Sequence, residues 1–150
     1  MTPELTEKAR TYLQDLLSFF EVNAEVQATT TEDSIELTVD TDGGGRLIGH
    51  RGETLGAIQH IMNMMIRRQT DERVYVHVDI GGYRKARLAK LEEQATEAAG
   101  KVRADGEEVS LPMMNAAERR HIHSFVTDID GVTTESRGEG SQRRLVVKPA

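Results

Sequence analysis

The stretch Gly45-Arg46-Leu47-Ile48-Gly49-His50-Arg51-Gly52-Glu53-Thr54-Leu55 constrains this chain more than any other part of it. A short apolar turn runs into two glycines that bracket a basic pair, and an amphipathic helix follows from about Glu53 to Arg68. A loop of this shape leaves backbone N–H groups unpaired at a helix N-terminus. The helix dipole places partial positive charge there, and Arg51 and His50 add to it, so the natural ligand is a phosphate. Glycine lets a backbone approach closely and take dihedrals that a side chain forbids. The segment Gly45–Arg68 holds four Arg and one Glu, whereas the whole 150-residue chain has a formal net charge of −6. A local basic patch on an acidic body suits modest, salt-sensitive contact with a nucleic-acid backbone and disfavours indiscriminate coating of it.

The flanks read as a small layered domain. Pro3–Phe20 is expected to be a helix with Leu5, Ala9, Tyr12, Leu13, Leu16, Leu17 and Phe20 on one face, Thr2 as its N-cap and Pro3 at its first position. Val22–Thr30 and Ser34–Asp40 alternate as a hairpin across Thr31-Glu32-Asp33. A helical turn around Arg46–Ile48 precedes the loop. The helix after it is expected to bury Leu55, Ile58, Ile61, Met62, Met65 and Ile66, with the run Met62, Met64 and Met65 filling core. Arg73–Ile80 reads as a strand. The order helix, strand, strand, helix, helix, strand closes at about residue 80, and Gly81-Gly82 reads as a joint.

Beyond the joint, Tyr83 to about Val102 reads as a long charged helix and Glu108–Leu111 as a short strand. Asn115–Thr127 reads as a helix in which Asn115 and Glu118 form a capping box. Val132–Ser136 and Arg143–Val147 read as a hairpin. Within Arg119-Arg120-His121-Ile122-His123, residues Arg119 and His123 lie four apart and share a helix face. Arg grips phosphate bidentately, and His adds a hydrogen bond or a stacking face. The competing reading of Arg119 and His123 is a capped, salt-bridged surface helix with Glu118 or Asp128 as partners. His121 reads as surface.

Several classes of function lose support. Aromatic residues make up 4% of the chain and Trp is absent, which counts against recognition by rows of stacked rings. There is no Cys, hence no disulfide, thiolate metal site or thiol nucleophile. His121 and His123 are two apart on a helix and point to different faces, so no metal site is expected. No Ser–His–Asp ordering, Walker loop or carboxylate cluster is visible, so neither a catalytic residue nor a cofactor is nominated. No long apolar run or signal pattern occurs, and a cytoplasmic protein without a membrane segment is expected.

Residues 1–80, with Gly49-His50-Arg51-Gly52 between two helices, resemble a KH (K-homology) domain of the type II, prokaryotic arrangement. That resemblance implies a loop clamping the backbone of about four single-stranded nucleotides. It also implies bases in a groove floored by Ile48, Leu55 and Ile58, beside the strand Ile35–Val39. The competing reading is a plain helix–turn–helix corner with solvated Arg. Residues 83–148 resemble the R-three-H domain, named for its Arg-x-x-x-His motif. The window Leu111–His123 looks like its core, and Thr134–Val147 looks like its closing hairpin. The two in this order, joined through Asp79-Ile80-Gly81-Gly82-Tyr83-Arg84-Lys85, look like the Jag family of bacterial RNA-binding proteins. Many members begin with a further small domain and charged linker, whereas this sequence starts at the KH-like segment. Ala116-Ala117 stand where the family more often shows Pro and Tyr.

The expectation is therefore an α+β chain of two small domains, 1–80 and 81–150, that binds single-stranded RNA without catalysis, with single-stranded DNA left open. Arg46, Ile48, Gly49, His50, Arg51, Gly52 and Leu55 form one expected site. Arg119, Arg120, His123, Arg143 and Arg144 form the other. Post-transcriptional regulation or RNA chaperoning, and a KH-family protein partner, are implied by the resemblance alone. The rival reading is a protein–protein adaptor that uses the KH-like fold for docking or dimerisation.

Overall fold

The computed structural model describes residues 2–150. They divide into two compact units, Met1–Arg84 and Lys85–Ala150, each with its own core.

In the first unit, helix α1 (Pro3–Ser18) starts where the Thr2 side chain accepts from the Leu5 N–H at 3.3 Å, with Pro3 at the first helical position. Spacing of four buries Leu5, Ala9, Leu13 and Leu17 on one face, and α1 ends two residues before Phe20. Strands β1 (Ala24–Thr30) and β2 (Ser34–Thr41) form the antiparallel hairpin. A short helix α2 (Gly44–Ile48), a 3-10 turn (His50–Gly52) and helix α3 (Glu53–Arg67) then cross over to strand β3 (Tyr75–Ile80), which pairs parallel to β2. Such a parallel return needs a helical crossover of this length. The sheet order is β1-β2-β3, so Ile35–Val39 lies in the central strand and the outer edges belong to β1 and β3.

Helix α4 (Tyr83–Asp105) begins with the last two residues of the first unit, and within the second unit it buries Leu91, Ala95, Ala98, Ala99 and Val102. Strand β4 (Val109–Ser110) leads to helix α5 (Ala116–Thr127), and strands β5 (Val132–Arg137) and β6 (Arg144–Pro149) close the chain as a hairpin. The sheet order is β4-β6-β5, antiparallel throughout. The capping box is complete. The Asn115 side chain accepts from the Glu118 N–H at 2.8 Å, and the Glu118 carboxylate accepts from the Asn115 N–H at 3.0 Å.

Three expectations about α3 are corrected. Ile61 is 41% exposed, Met64 46% exposed and Met65 half-buried, because the core covers only the narrower stripe Leu55, Ile58, Met62 and Ile66. Met62 fills core as expected. Among the described residues, no helix is long and apolar enough to cross a membrane.

Candidate nucleic-acid interface

The loop before α3 is held in an uncommon backbone shape. Gly49 has φ 72°, Arg51 φ 54° and Gly52 φ 79°. Two glycines meet that demand without cost, and Arg51 is a side-chain-bearing residue in the left-handed region. The glycines are also required by packing. A Cβ on Gly49 would overlap the Thr54 side chain, and one on Gly52 would press the Tyr83 ring. Their first role is thus to let the loop turn tightly onto its own unit. The consequence is that His50 and Arg51 stand exposed at the N-terminus of a 15-residue helix, where the dipole favours an anion. Glu53 also sits in that first turn, and its carboxylate opposes an incoming phosphate.

The remaining loop residues divide. Ile48 is half-buried against the core. Arg46 points its Nη1 at the Phe20 carbonyl, 3.3 Å away, and lines a different cleft with Glu21, Asn23 and Asp42. Leu55 and Ile58 are 1% and 2% exposed. They support the helix from beneath and cannot floor a groove.

The strand Ile35–Val39 lies in the centre of the sheet, with β1 and β3 on either side. A cleft of about 380 Å³ runs between α3 and the outer strand β3, walled by Gly56, Gln59, His60 and Asn63 on one side and Tyr75 and His77 on the other. None of these residues was singled out by sequence patterning. They occupy polar positions of an amphipathic helix and the outward face of a strand, where composition alone carries no signal.

In the second unit the expected residues converge. A cleft of about 360 Å³ takes Ala116, Arg119, Arg120 and His123 from α5 and Thr134, Ser136, Arg143 and Leu145 from the hairpin region. Arg119 is half-buried, and its Nη1 donates to the Met114 carbonyl at 2.6 Å, so neither Glu118 nor Asp128 is its partner. His123 Nδ1 is hydrogen-bonded to Thr134 Oγ1 at 2.5 Å, which orients the ring and leaves Nε2 for a ligand. Arg143 Nε donates to Ser136 Oγ at 2.6 Å. Arg144 is not in the cleft, because alternation along β6 sends it to the other face from Leu145. Thr134 and Ser136 are the residues that sequence reasoning missed.

The N-terminus of α5, which carries this cleft, is braced by Arg87 of α4. Its Nη2 donates to the Met113 carbonyl at 3.0 Å, and its Nε lies 3.4 Å from Glu118 Oε1. His121, on another face of α5, pairs with Glu92 at 2.6 Å. Arg137 is committed within the sheet. It bonds Glu108 at 2.7 and 3.0 Å and Glu135 at 2.7 and 3.0 Å, and these hydrogen bonds hold both carboxyls below their ordinary range.

Residues 6–78 match the KH-domain family of KhpA and KhpB, and residues 89–149 match the R-three-H domain family. The chain pairs a KH domain with an R-three-H domain, the architecture of the Jag family. Its relatives match over most of this chain. It is 31% identical over 145 residues to "RNA-binding protein KhpB" of Clostridium symbiosum, covering 95% of this chain and 65% of that protein. It is 28% identical over 144 residues to the protein of the same name in Streptococcus pneumoniae, covering 96% and 44%. With the one in Bacillus subtilis it shares 27% over 143 residues, covering 94% and 69%. The chain therefore spans between under half and about two thirds of the length of these relatives. The KH match ends in β3, and the R-three-H match begins inside α4, so both clefts lie within matched segments.

Proposed function

We propose that this chain is a non-catalytic binder of single-stranded RNA that holds the backbone at two places. In the KH unit, His50 and Arg51 and the α3 N-terminus hold one stretch. In the R-three-H unit, Arg119, Arg120, Arg143 and His123 hold another. The observation that carries this reading is the second cleft: three guanidinium groups and an oriented imidazole, drawn from α5 and the hairpin region, line one concavity, and no carboxylate is among its lining residues. Arg and His in that arrangement suit phosphate. The names of the relatives support the same ligand class. Two modest modules on one chain raise the effective concentration of the second contact, with avidity gains of ~10²–10⁴ where both engage.

The test is fluorescence anisotropy with a short mixed-sequence single-stranded RNA. For about four phosphate contacts, affinity is expected to fall roughly 50-fold between 50 and 200 mM salt. His50→Asp with Arg51→Asp weakens binding from one side, and Arg120→Glu with Arg143→Glu weakens it from the other. All four positions are exposed, so the fold tolerates the changes. Absence of binding at low salt, or affinity unmoved by either pair, overturns the reading. A second reading, protein docking through the KH unit, is favoured by Phe19, which is 83% exposed, and by Ile61 and Met64. Contact through such residues is salt-insensitive, so the same titration separates the two.

A further inference from the structure

We propose that Gln59 and Asn63 determine base discrimination in the KH unit and set it low, by occupying the strand edge that bases in the cleft would otherwise meet. The inference rests on the RNA-binding reading and concerns the cleft between α3 and β3.

The outer edge of β3 should present unpaired N–H and C=O groups to that cleft, since alternate residues of an edge strand turn their backbone polar groups outward. Here three of those groups, at Val76 and Val78, are taken. The Val76 N–H donates to Asn63 Oδ1 at 2.9 Å, and the Val78 N–H donates to Gln59 Oε1 at 2.8 Å. The Val76 carbonyl accepts from Asn63 Nδ2 at 2.8 Å and also from Gln59 Nε2, so both its lone pairs are used. A carboxamide sets a donor beside an acceptor, the same pattern a nucleobase edge offers, so these two side chains stand where base edges would pair.

The amides have little capacity left for a base. Asn63 Nδ2 also donates to the Gln59 carbonyl at 2.9 Å, which uses both of its hydrogens. Gln59 Oε1 accepts a second bond, from Arg84 Nη2 at 3.2 Å. By the donor and acceptor inventory, one Gln59 hydrogen and one Asn63 lone pair remain. At the opposite edge of the sheet, Gln14 likewise bonds the Ala24 carbonyl at 2.8 Å and the Val26 N–H at 3.3 Å, so each outer strand has part of its edge taken by side-chain amides. The cleft wall is nonetheless kept open. A Cβ on Gly56 would meet nothing within 4 Å, so the fold's own packing gives no reason for a glycine within α3. A base is accommodated there by shape and by the Tyr75 ring, which is sequence-tolerant.

The experiment uses the full chain carrying Arg119→Ala and His123→Ala, so that binding reports the KH unit. Octamers of A, U and C are titrated at low salt beside the unsubstituted chain. A single good base-edge hydrogen-bond pair discriminates by about fivefold or more. The expected result is that the three affinities agree to better than about fivefold. Adding Gln59→Ala and Asn63→Ala, with circular dichroism as the folding check, should spread them beyond that limit. In parallel, the Val76 and Val78 amide signals of the unsubstituted chain should keep their positions and slow exchange when RNA is added. A spread beyond about fivefold before the amides are removed overturns the inference, as does a folded amide-free variant that still binds all three alike. Loss of slow exchange at Val76 and Val78 on binding also overturns it, and this arm decides if the amide-free variant fails to fold. Binding by the unsubstituted chain but not by the Arg119→Ala, His123→Ala chain overturns it while leaving RNA binding to the R-three-H unit. No binding by either chain overturns the RNA reading itself.

Discussion

A Cβ added to Gly52 would lie 2.9 Å from Cε1 of Tyr83, so the last glycine of the KH loop is fitted under an aromatic ring of its own unit. Gly52 also has φ 79°, a left-handed value that costs a residue with a side chain about 1–2 kcal/mol. Gly52→Ala is expected to destabilise the KH unit by at least that amount, measured by urea unfolding with KH-unit amide signals as the probe. Tyr83→Ala in the same chain should relieve the steric part and leave the dihedral part. A double-mutant coupling near zero would mean that the ring moves aside freely. Loop charges are therefore better tested at the exposed His50 and Arg51 than at the glycines.

Arg87 and Glu118 form the brace behind the R-three-H cleft, and both are mostly buried. Removing one partner of such a pair leaves the other desolvated and costs up to about 3–5 kcal/mol, whereas replacing both costs far less. Arg87→Met should destabilise the R-three-H unit by about 2–3 kcal/mol, toward the lower end because Glu118 keeps its bond to the Asn115 N–H. Arg87→Met with Glu118→Gln should recover most of the loss. Thermal unfolding of the four chains measures the cycle, and additive losses would show that the pair is uncoupled.

Asn115→Ala should cost about 1 kcal/mol, the usual worth of an N-cap. It strips the bond to the Glu118 N–H and frays the turn that presents Arg119. The expected signature is faster amide exchange confined to the first turn of α5. Unchanged exchange there would show that Arg87 alone holds the helix start.

Acid should loosen the strand network around Arg137. Hydrogen bonds from Arg137 are the main cause of the lowered carboxyl pKa values of Glu108 and Glu135. For a depressed acid, the stabilisation is complete above the ordinary carboxylate pKa and is lost as pH falls through the lower folded value. Arg137→Gln should therefore lower the R-three-H unit's stability at neutral pH by a small amount, because these groups are solvent-exposed and screened, and flatten the acid limb so that the two curves converge at low pH. A variant with an unaltered acid limb would contradict this.

Arg143→Ala should lower the slope of log affinity against log salt by about 0.7, the release expected for one phosphate on a single strand. Arg144→Ala, on the other face of β6, should leave the slope unchanged. Equal effects of the two would mean that the cleft is not where RNA lies.

Element identity was legible in sequence wherever the signal is local. Spacing of four in α1, the Thr2 and Asn115 caps, alternation in β2, and the glycine-bracketed basic pair each depend on residues within one turn or one strand. The reach of the apolar face of α3 was less legible. Ile61 and Met65 fit the periodicity, but the sheet is only three strands wide and covers a narrower stripe, which leaves Ile61 41% exposed.

By itself the sequence determined the two-unit α+β order, the loop and helix that carry its basic residues, and the positions of Arg119 and His123 on one face. Those properties follow from backbone propensities and nearest-neighbour geometry. Only the tertiary structure decided that Thr134 and Ser136 join the second cleft while Arg144 faces away from it, and that Gln59 and Asn63 bond the outer edge of β3 at Val76 and Val78. Each of these depends on which residues face one another across strand register and helix–sheet packing. A shift of one residue there turns every side chain of a strand to the opposite face, and no local pattern encodes that choice.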